Sequence, residues 1–203
     1  MRKVPRAYIL VTVLFLIAAS AAVWRISRRR EAQTVSSDQS GLIWKLKRHE
    51  IDPVASLSGQ ADLSDRRLMN GEIEARMWWG FGLRPLEGIT LRRNNGQWSA
   101  IHVKADSYFQ PKKAEREELR PPKSGWDAAW DRLMKGGIFT LADASDAGCV
   151  TRGIDAFGFV IEINSYTGYR AYLYLHPVIA KCKGAEQMLR LFEILYGEFR
   201  IGE

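Results

Sequence analysis

Cysteine and histidine are scarce, with only two of the first and three of the second in 203 residues. Cys149 and Cys182 stand far apart, and His49, His102 and His176 are scattered along the chain. No C-x-x-C, H-E-x-x-H or Cys/His cluster occurs, so the familiar zinc-binding spacings are excluded. A nucleophile elbow, a phosphate loop and a dinucleotide fingerprint are missing too. Gly80-Phe81-Gly82 opens like the last of these, but Pro85 occupies the third glycine position. No metal and no cofactor are expected. There is no internal repeat and no low-complexity tract.

Acidic residues are absent from the first thirty positions. The chain carries 30 Lys and Arg against 23 Asp and Glu, and residues 1–30 hold seven of the basic residues. The remainder is therefore balanced, with 23 of each sign in 31–203. The net charge of +7 suggests a nucleic-acid partner only until it is located. The excess sits beside a membrane-like segment, where topology and anionic lipid head groups explain it. The neutral remainder gives no compositional reason to predict a phosphate-tracking surface, and no nucleic-acid partner is expected.

What is present is an uncharged apolar run, Ala7 to Trp24, with Arg2, Lys3 and Arg6 before it and Arg25, Arg28, Arg29 and Arg30 after it. Eighteen residues reach about the length a helix needs to cross a hydrocarbon core of roughly 30 Å. Tyr8 and Trp24 suit the two interfaces. Two readings fit. One is a retained transmembrane anchor. The other is a signal segment cleaved near Ala21, since Ala19-Ser20-Ala21 offers small residues to a peptidase. The arginines after the run favour the anchor. The flanking charges nearly tie on the positive-inside rule. A short N-terminal tail before such a segment usually stays inside, which places the domain outside the cytoplasm. There an even cysteine count predicts a Cys149–Cys182 disulfide.

The expected organisation is a membrane segment with basic flanks (1–30), a polar tether (31–40) and one globular α+β domain (41–203). Within the domain, Leu42 to Ile51 fits a strand or a short helix, ended by Asp52-Pro53. Glu72 to Trp79 alternates as a strand, with Ile73, Ala75, Met77 and Trp79 on one face. Ile89–Arg93 and Gln97–Lys104 flank the turn signal Asn94-Asn95-Gly96, which completes an antiparallel meander. A helical turn is expected around Ala114 to Leu119. Ser124 and Asp127 suggest a capping box for a helix whose apolar stripe is Trp126, Ala129, Trp130, Leu133 and Met134. Phe157–Asn164 and Tyr169–His176 read as a second hairpin. Placing Ala171, Leu173 and Leu175 on the core face with Phe159, Ile161 and Ile163 requires a five-residue connection and a bulge near Gly168. A last helix spans Ala185 to Phe199. Two or three helices thus pack the sheet.

That hairpin register puts Glu162, Arg170, Tyr172 and His176 on one outer face. Glu162 or His176 could then act as general base with Arg170 as an oxyanion partner, in an envelope hydrolase-like enzyme. The plainer reading is a solvated face, so the balance lies against an enzyme. Trp78, Trp79 and Trp98 lie on neighbouring strands and could grip a ligand or partner, although such residues more often belong to a core. Trp78 and Trp79 point to opposite faces, so something besides the main core must cover one of them.

The stretches EIEARMWWGFGL (72–83), GWDAAWDRLMKGGIFTLAD (125–143) and FVIEINSYTGYRAYLYLHP (159–177), with Cys182 and the last helix, resemble bacterial exported or membrane-anchored proteins without an assigned activity. The resemblance implies an exported α+β domain and transfers no functional residue. No cysteine follows the apolar run, which excludes a lipid-modified N-terminus. The expected function is a membrane-tethered extracytoplasmic domain that binds a protein, peptide or envelope component. The alternatives are the Glu162/Arg170/His176 enzyme and a structural subunit of a membrane complex. A concave pocket joining those three residues favours the enzyme, and an exposed Trp78 or Trp79 patch favours binding. Absence of both favours the structural subunit.

Overall fold

The computed structural model describes residues 41–82, 84–144, 147–149, 157–180 and 182–201. The expected membrane segment, Ala7 to Trp24, and the tether at 31–40 lie outside the described residues. Among the described residues, no helix is long and apolar enough to cross a membrane.

The architecture is α+β, as the alternation of strand and helix patterns implies. Strands β1 (Ile73–Phe81), β2 (Arg84–Asn94), β3 (Gln97–Ala105), β4 (Ala114–Glu118), β5 (Gly158–Ser165) and β6 (Gly168–Leu175) form one antiparallel sheet in the order β4-β3-β2-β1-β5-β6. The meander appears as expected. Asn95 and Gly96 both take positive φ in the two-residue turn between β2 and β3, the backbone a tight hairpin demands.

Both faces of the sheet are covered. On one face Ala75, Met77, Trp79, Ile89, Leu91, Phe159, Ile161 and Ile163 pack under two helices, α2 (Trp126–Lys135) and α3 (Lys183–Phe199). Helix α3 contributes Met188, Leu191, Leu195 and Phe199, the inward positions expected from its spacing, with Phe192 partly buried beside them. On the other face Trp78, Leu86, Ile101, Val103, Val160 and Leu173 meet Ile43, Ile51, Val54 and Ala55. Those four belong to a helical run over 41–57. It includes a π-helical stretch, Lys47–Ile51, and then helix α1 (Asp52–Leu57). The ambiguity over Leu42 to Ile51 thus resolves to helix. Pro53 does not end it, because its missing N–H falls at the first turn of α1, where the hydrogen-bond ladder changes step.

Three further expectations are corrected. The segment Ala114–Glu118 is the edge strand β4 and not a helical turn: pairing with β3 satisfies backbone groups that a lone turn would leave to water. Its charged, exposed sequence also guards the sheet edge. Ser124 does not cap α2. Gly125 is the N-cap, and the Ser124 hydroxyl and N–H both donate to Glu198 of α3, which also accepts from Arg132 at 2.5 Å. Asp127 accepts instead from the Trp98 indole at 3.3 Å.

The third correction concerns the β5–β6 hairpin. Ser165 pairs with Gly168 across a two-residue turn, Tyr166-Thr167, with no bulge. Ile163 therefore faces Arg170, Ile161 faces Tyr172 and Phe159 faces Tyr174, while Glu162 faces Ala171. The expected register assumed that a single face of the hairpin is buried. Because helices cover both, the aliphatic set Ala171, Leu173 and Leu175 belongs to the opposite core from Phe159, and Tyr172 and Tyr174 fill the first. Their hydroxyls donate to the carbonyls of Phe139 (3.2 Å) and Ala142 (2.5 Å).

Cys149 and Cys182 are disulfide-bonded, with Cα atoms 5.7 Å apart. Cys182 is also the N-cap of α3, its Sγ accepting from the Ala185 N–H. The bridge joins the segment after α2 to the start of α3.

Candidate functional site, a buried charge network and the polar cleft beside it

Strand period places Glu74, Arg76 and Trp78 together on the face covered by the 41–57 run. The register aligns two polar rows across the three central strands. Thr90, Arg76 and Glu162 form one row; Arg92, Glu74 and Asn164 form the other. Of these six, only Arg92 reaches the surface.

Glu74 is the hub. It accepts from Arg76 Nε at 2.8 Å and Nη2 at 2.6 Å, from Arg92 Nε at 2.8 Å, and from Arg66. Burial alone would raise its pKa, but the guanidiniums of Arg92 and Arg76 hold it below the ordinary carboxylate value. The segment at 58–70 roofs the network, and sheet side chains satisfy its carbonyls. Arg76 Nη2 donates to Ala61, and Asn164 Nδ2 donates to Leu63 and Arg66. Thr90 donates to Gln60, which donates to Ser58.

Glu162 sits next to this hub in a different state. It accepts from the Trp78 indole N–H and the Tyr169 hydroxyl, both at 2.8 Å. Burial raises its pKa, with Arg76, Trp78 and Tyr169 only partly offsetting the effect. Burial and the neighbouring Glu162 raise that of Tyr169 as well. Lys47 lies close by and donates to Asp52 at 2.8 Å and Asp62 at 2.5 Å. Burial works against its charge, but these two hydrogen bonds leave its pKa raised.

The two acids therefore affect stability in opposite directions. Glu162 has a folded pKa above its unfolded value, so the native state binds more protons between the two. Its contribution is full below the unfolded pKa and is lost as pH rises through the folded one. Glu162→Gln keeps the shape: its carbonyl can accept from the Trp78 indole and its amide can donate to the Tyr169 hydroxyl. Urea unfolding followed by tryptophan fluorescence should show the variant losing less stability than the parent as pH rises above the ordinary carboxylate range. Parallel pH profiles would rule out the charge state of Glu162 as the cause.

The sequence-derived site residues do not assemble. Glu162 and Arg170 project to opposite faces; Arg170 donates to the Phe139 carbonyl and lies over the Tyr172 ring. His176 follows the end of β6 with positive φ. Only a five-residue connection between β5 and β6 would bring these three to one face. Trp78 is sealed, its ring lying across Gly88, where any Cβ would collide with it. Trp79 is buried on the other face against His102 and Phe192. Trp98 is half-buried in an aromatic cluster with Trp126 and Trp130. None of the three makes an open aromatic patch.

A polar feature beside the network does open to solvent, and it was not singled out in the sequence. It is a cleft of about 80 Å³ where the 58–60 turn meets β2, β3 and β4, lined by Gln60, Thr90, Arg92, Ser99, Arg116 and Glu118. The signal was present in the alternation: Thr90 and Arg92 share a face with Glu74 and Arg76, and Ser99 and Arg116 extend it across β3 and β4. Among the described residues no group of three or more His, Cys, Asp and Glu is placed to hold a metal ion.

Comparison with family models, with curated proteins and with solved structures returns nothing similar.

Proposed function

We propose that the protein is a membrane-tethered, non-enzymatic domain on the outer side of the cytoplasmic membrane, where it binds an envelope component. The Cys149–Cys182 bridge carries this reading, since structural disulfides persist in oxidising compartments. The Ala7 to Trp24 run supplies the means of tethering, and the likeness to bacterial exported proteins agrees with it. The sealed position of Glu162, away from Arg170, argues against the hydrolase alternative. The cleft at Arg92 and Arg116 offers charged groups to a ligand. Burial of Trp78 and Trp79 supports a second reading, a structural subunit of a membrane complex, because it removes the aromatic patch that a partner would grip.

Thiol labelling of the full chain in cells tests the placement. Neither cysteine should react with a maleimide before reduction. After reduction, an impermeant maleimide should reach both without rupture of the cytoplasmic membrane. Labelling without reductant, and only after permeabilisation, would overturn the exported, disulfide-bonded reading.

A further inference from the structure

We propose that the cleft between the 58–60 turn and strands β2, β3 and β4 binds one oxyanion group, a carboxylate or a phosphate, on a small ligand. The inference deepens the binding reading above by naming the chemistry that the site recognises.

The charge balance comes first. Three guanidiniums, those of Arg66, Arg76 and Arg92, share the single Glu74 carboxylate. One negative charge offsets one of them, so Glu74 leaves two of these three guanidinium charges without a matching charge of its own. Arg76 is 1% exposed and already committed through Nε and Nη2 to Glu74 and the Ala61 carbonyl. Arg92 differs: it is 39% exposed, lines the cleft and engages Glu74 through Nε alone. Its Nη edge remains to donate, and two parallel N–H groups on a planar guanidinium match the spacing of a carboxylate or phosphate.

Arg116 enters the same cleft from β4. Its partners are distant, with Nη1 at 3.4 Å from the Ser58 carbonyl and Nη2 at 3.8 Å from Glu118. A charge-assisted hydrogen bond is normally shorter, about 2.7–2.9 Å, so an incoming anion competes with weak contacts. Glu118 opposes an anion, but its side chain is 85% exposed and hence well screened by water. Gln60 and Thr90 are paired with each other, which fixes the back wall. The Ser99 hydroxyl completes the donor set from β3. The volume of about 80 Å³ admits an oxyanion group.

The position of the cation is also built in. Arg92 is held by Glu74, and Glu74 by the buried Arg76, so the recognising edge is oriented before a ligand arrives. Preorganisation of this kind lowers the entropic cost of binding. Because guanidinium stays charged, an acetate complex should be insensitive to pH from about 6 to 9, whereas a phosphate complex should strengthen as the second proton leaves at about pH 6–7.

The test is isothermal titration calorimetry of the full chain in neutral detergent micelles at low chloride, with inorganic phosphate in one arm and acetate in the other. Saturable binding in either arm is expected. Phosphate alone would assign the site to a phosphorylated ligand, and acetate as well would assign it to carboxylates. Arg116→Gln leaves the Glu74 network intact and should weaken binding about tenfold or more; Arg92→Lys, which keeps the charge but loses the fork, should weaken it less. Absence of saturable binding below about 10 mM in both arms overturns the proposal. So does binding that neither substitution changes, because that anion would be held by the arginines flanking Ala7 to Trp24. A failed titration would leave the topology result standing, and a failed labelling assay would leave the cleft chemistry standing.

Discussion

Replacing Glu74 with alanine is expected to lower the unfolding free energy by about 3–5 kcal/mol, a large share of what a domain of this size has to lose. The reason is asymmetry among its three partners. Arg66 and Arg92 are 28% and 39% exposed and can turn to water when the carboxylate is gone. Arg76 cannot, since it is 1% exposed and hemmed in by the 58–70 roof. Its charge would be left with the Ala61 carbonyl and the neighbouring Glu162. The field of Arg76 would then hold Glu162 ionised to lower pH, a partial compensation visible as a changed pH profile. Glu74→Gln retains one acceptor oxygen without the charge and should cost less. The double change Glu74→Met with Arg76→Met should recover most of the loss, because well-packed apolar groups often replace a buried ion pair at little cost. Urea unfolding monitored by tryptophan fluorescence measures all three. A loss below about 1 kcal/mol for the alanine variant would show that the network is hydrated and not a desolvated hub.

That hub also marks where sequence reading succeeded and where it stopped. The alternation of β1 correctly placed Trp78 and Trp79 on opposite faces and required a cover for both. The hairpin at Asn95-Gly96 and the inward stripe of α3 were equally legible, because turn chemistry and helical period are local. The reading of β5 and β6 failed on one assumption, that Glu162 and Asn164 mark a solvent face. They are buried because Trp78, Tyr169 and the carbonyls of Leu63 and Arg66 satisfy them, and those partners lie up to 101 residues away in sequence. Polar residues on a strand announce water only when nothing distant pairs with them. The same blindness hid β4, whose Ala-Glu-Arg-Glu-Glu carries no strand pattern of its own and is ordered by the free edge of β3. The cleft could have been anticipated from Glu74, Arg76 and Arg92 sharing a face, had the charges been read across strands instead of along them.

Removing the disulfide should be the other large perturbation. The bridge closes a separation of 33 residues, and the chain-entropy model assigns such a loop about 3–4 kcal/mol. The loop contains the β5–β6 hairpin, so the bridge fixes both its approaches: Cys149 before β5 and Cys182 after β6. Cys182 has a second role as N-cap of α3, and the two contributions are separable. In Cys149→Ala/Cys182→Ala both are lost. In Cys149→Ala/Cys182→Ser the hydroxyl can accept from the Ala185 N–H and should restore about 1 kcal/mol. Reductant should move the parent chain most of the way to the serine variant and leave both variants unmoved. Equal unfolding midpoints with and without reductant would mean that the bridge contributes no stability. The expected loss is large enough to connect stability with location. A chain held in a reducing compartment would forgo those kilocalories permanently, whereas one carried outward past its arginine-flanked apolar segment would gain them once, on oxidation. The bridge would then act as a folding step that completes after export, and the midpoint difference between the reduced and oxidised chains measures its effect.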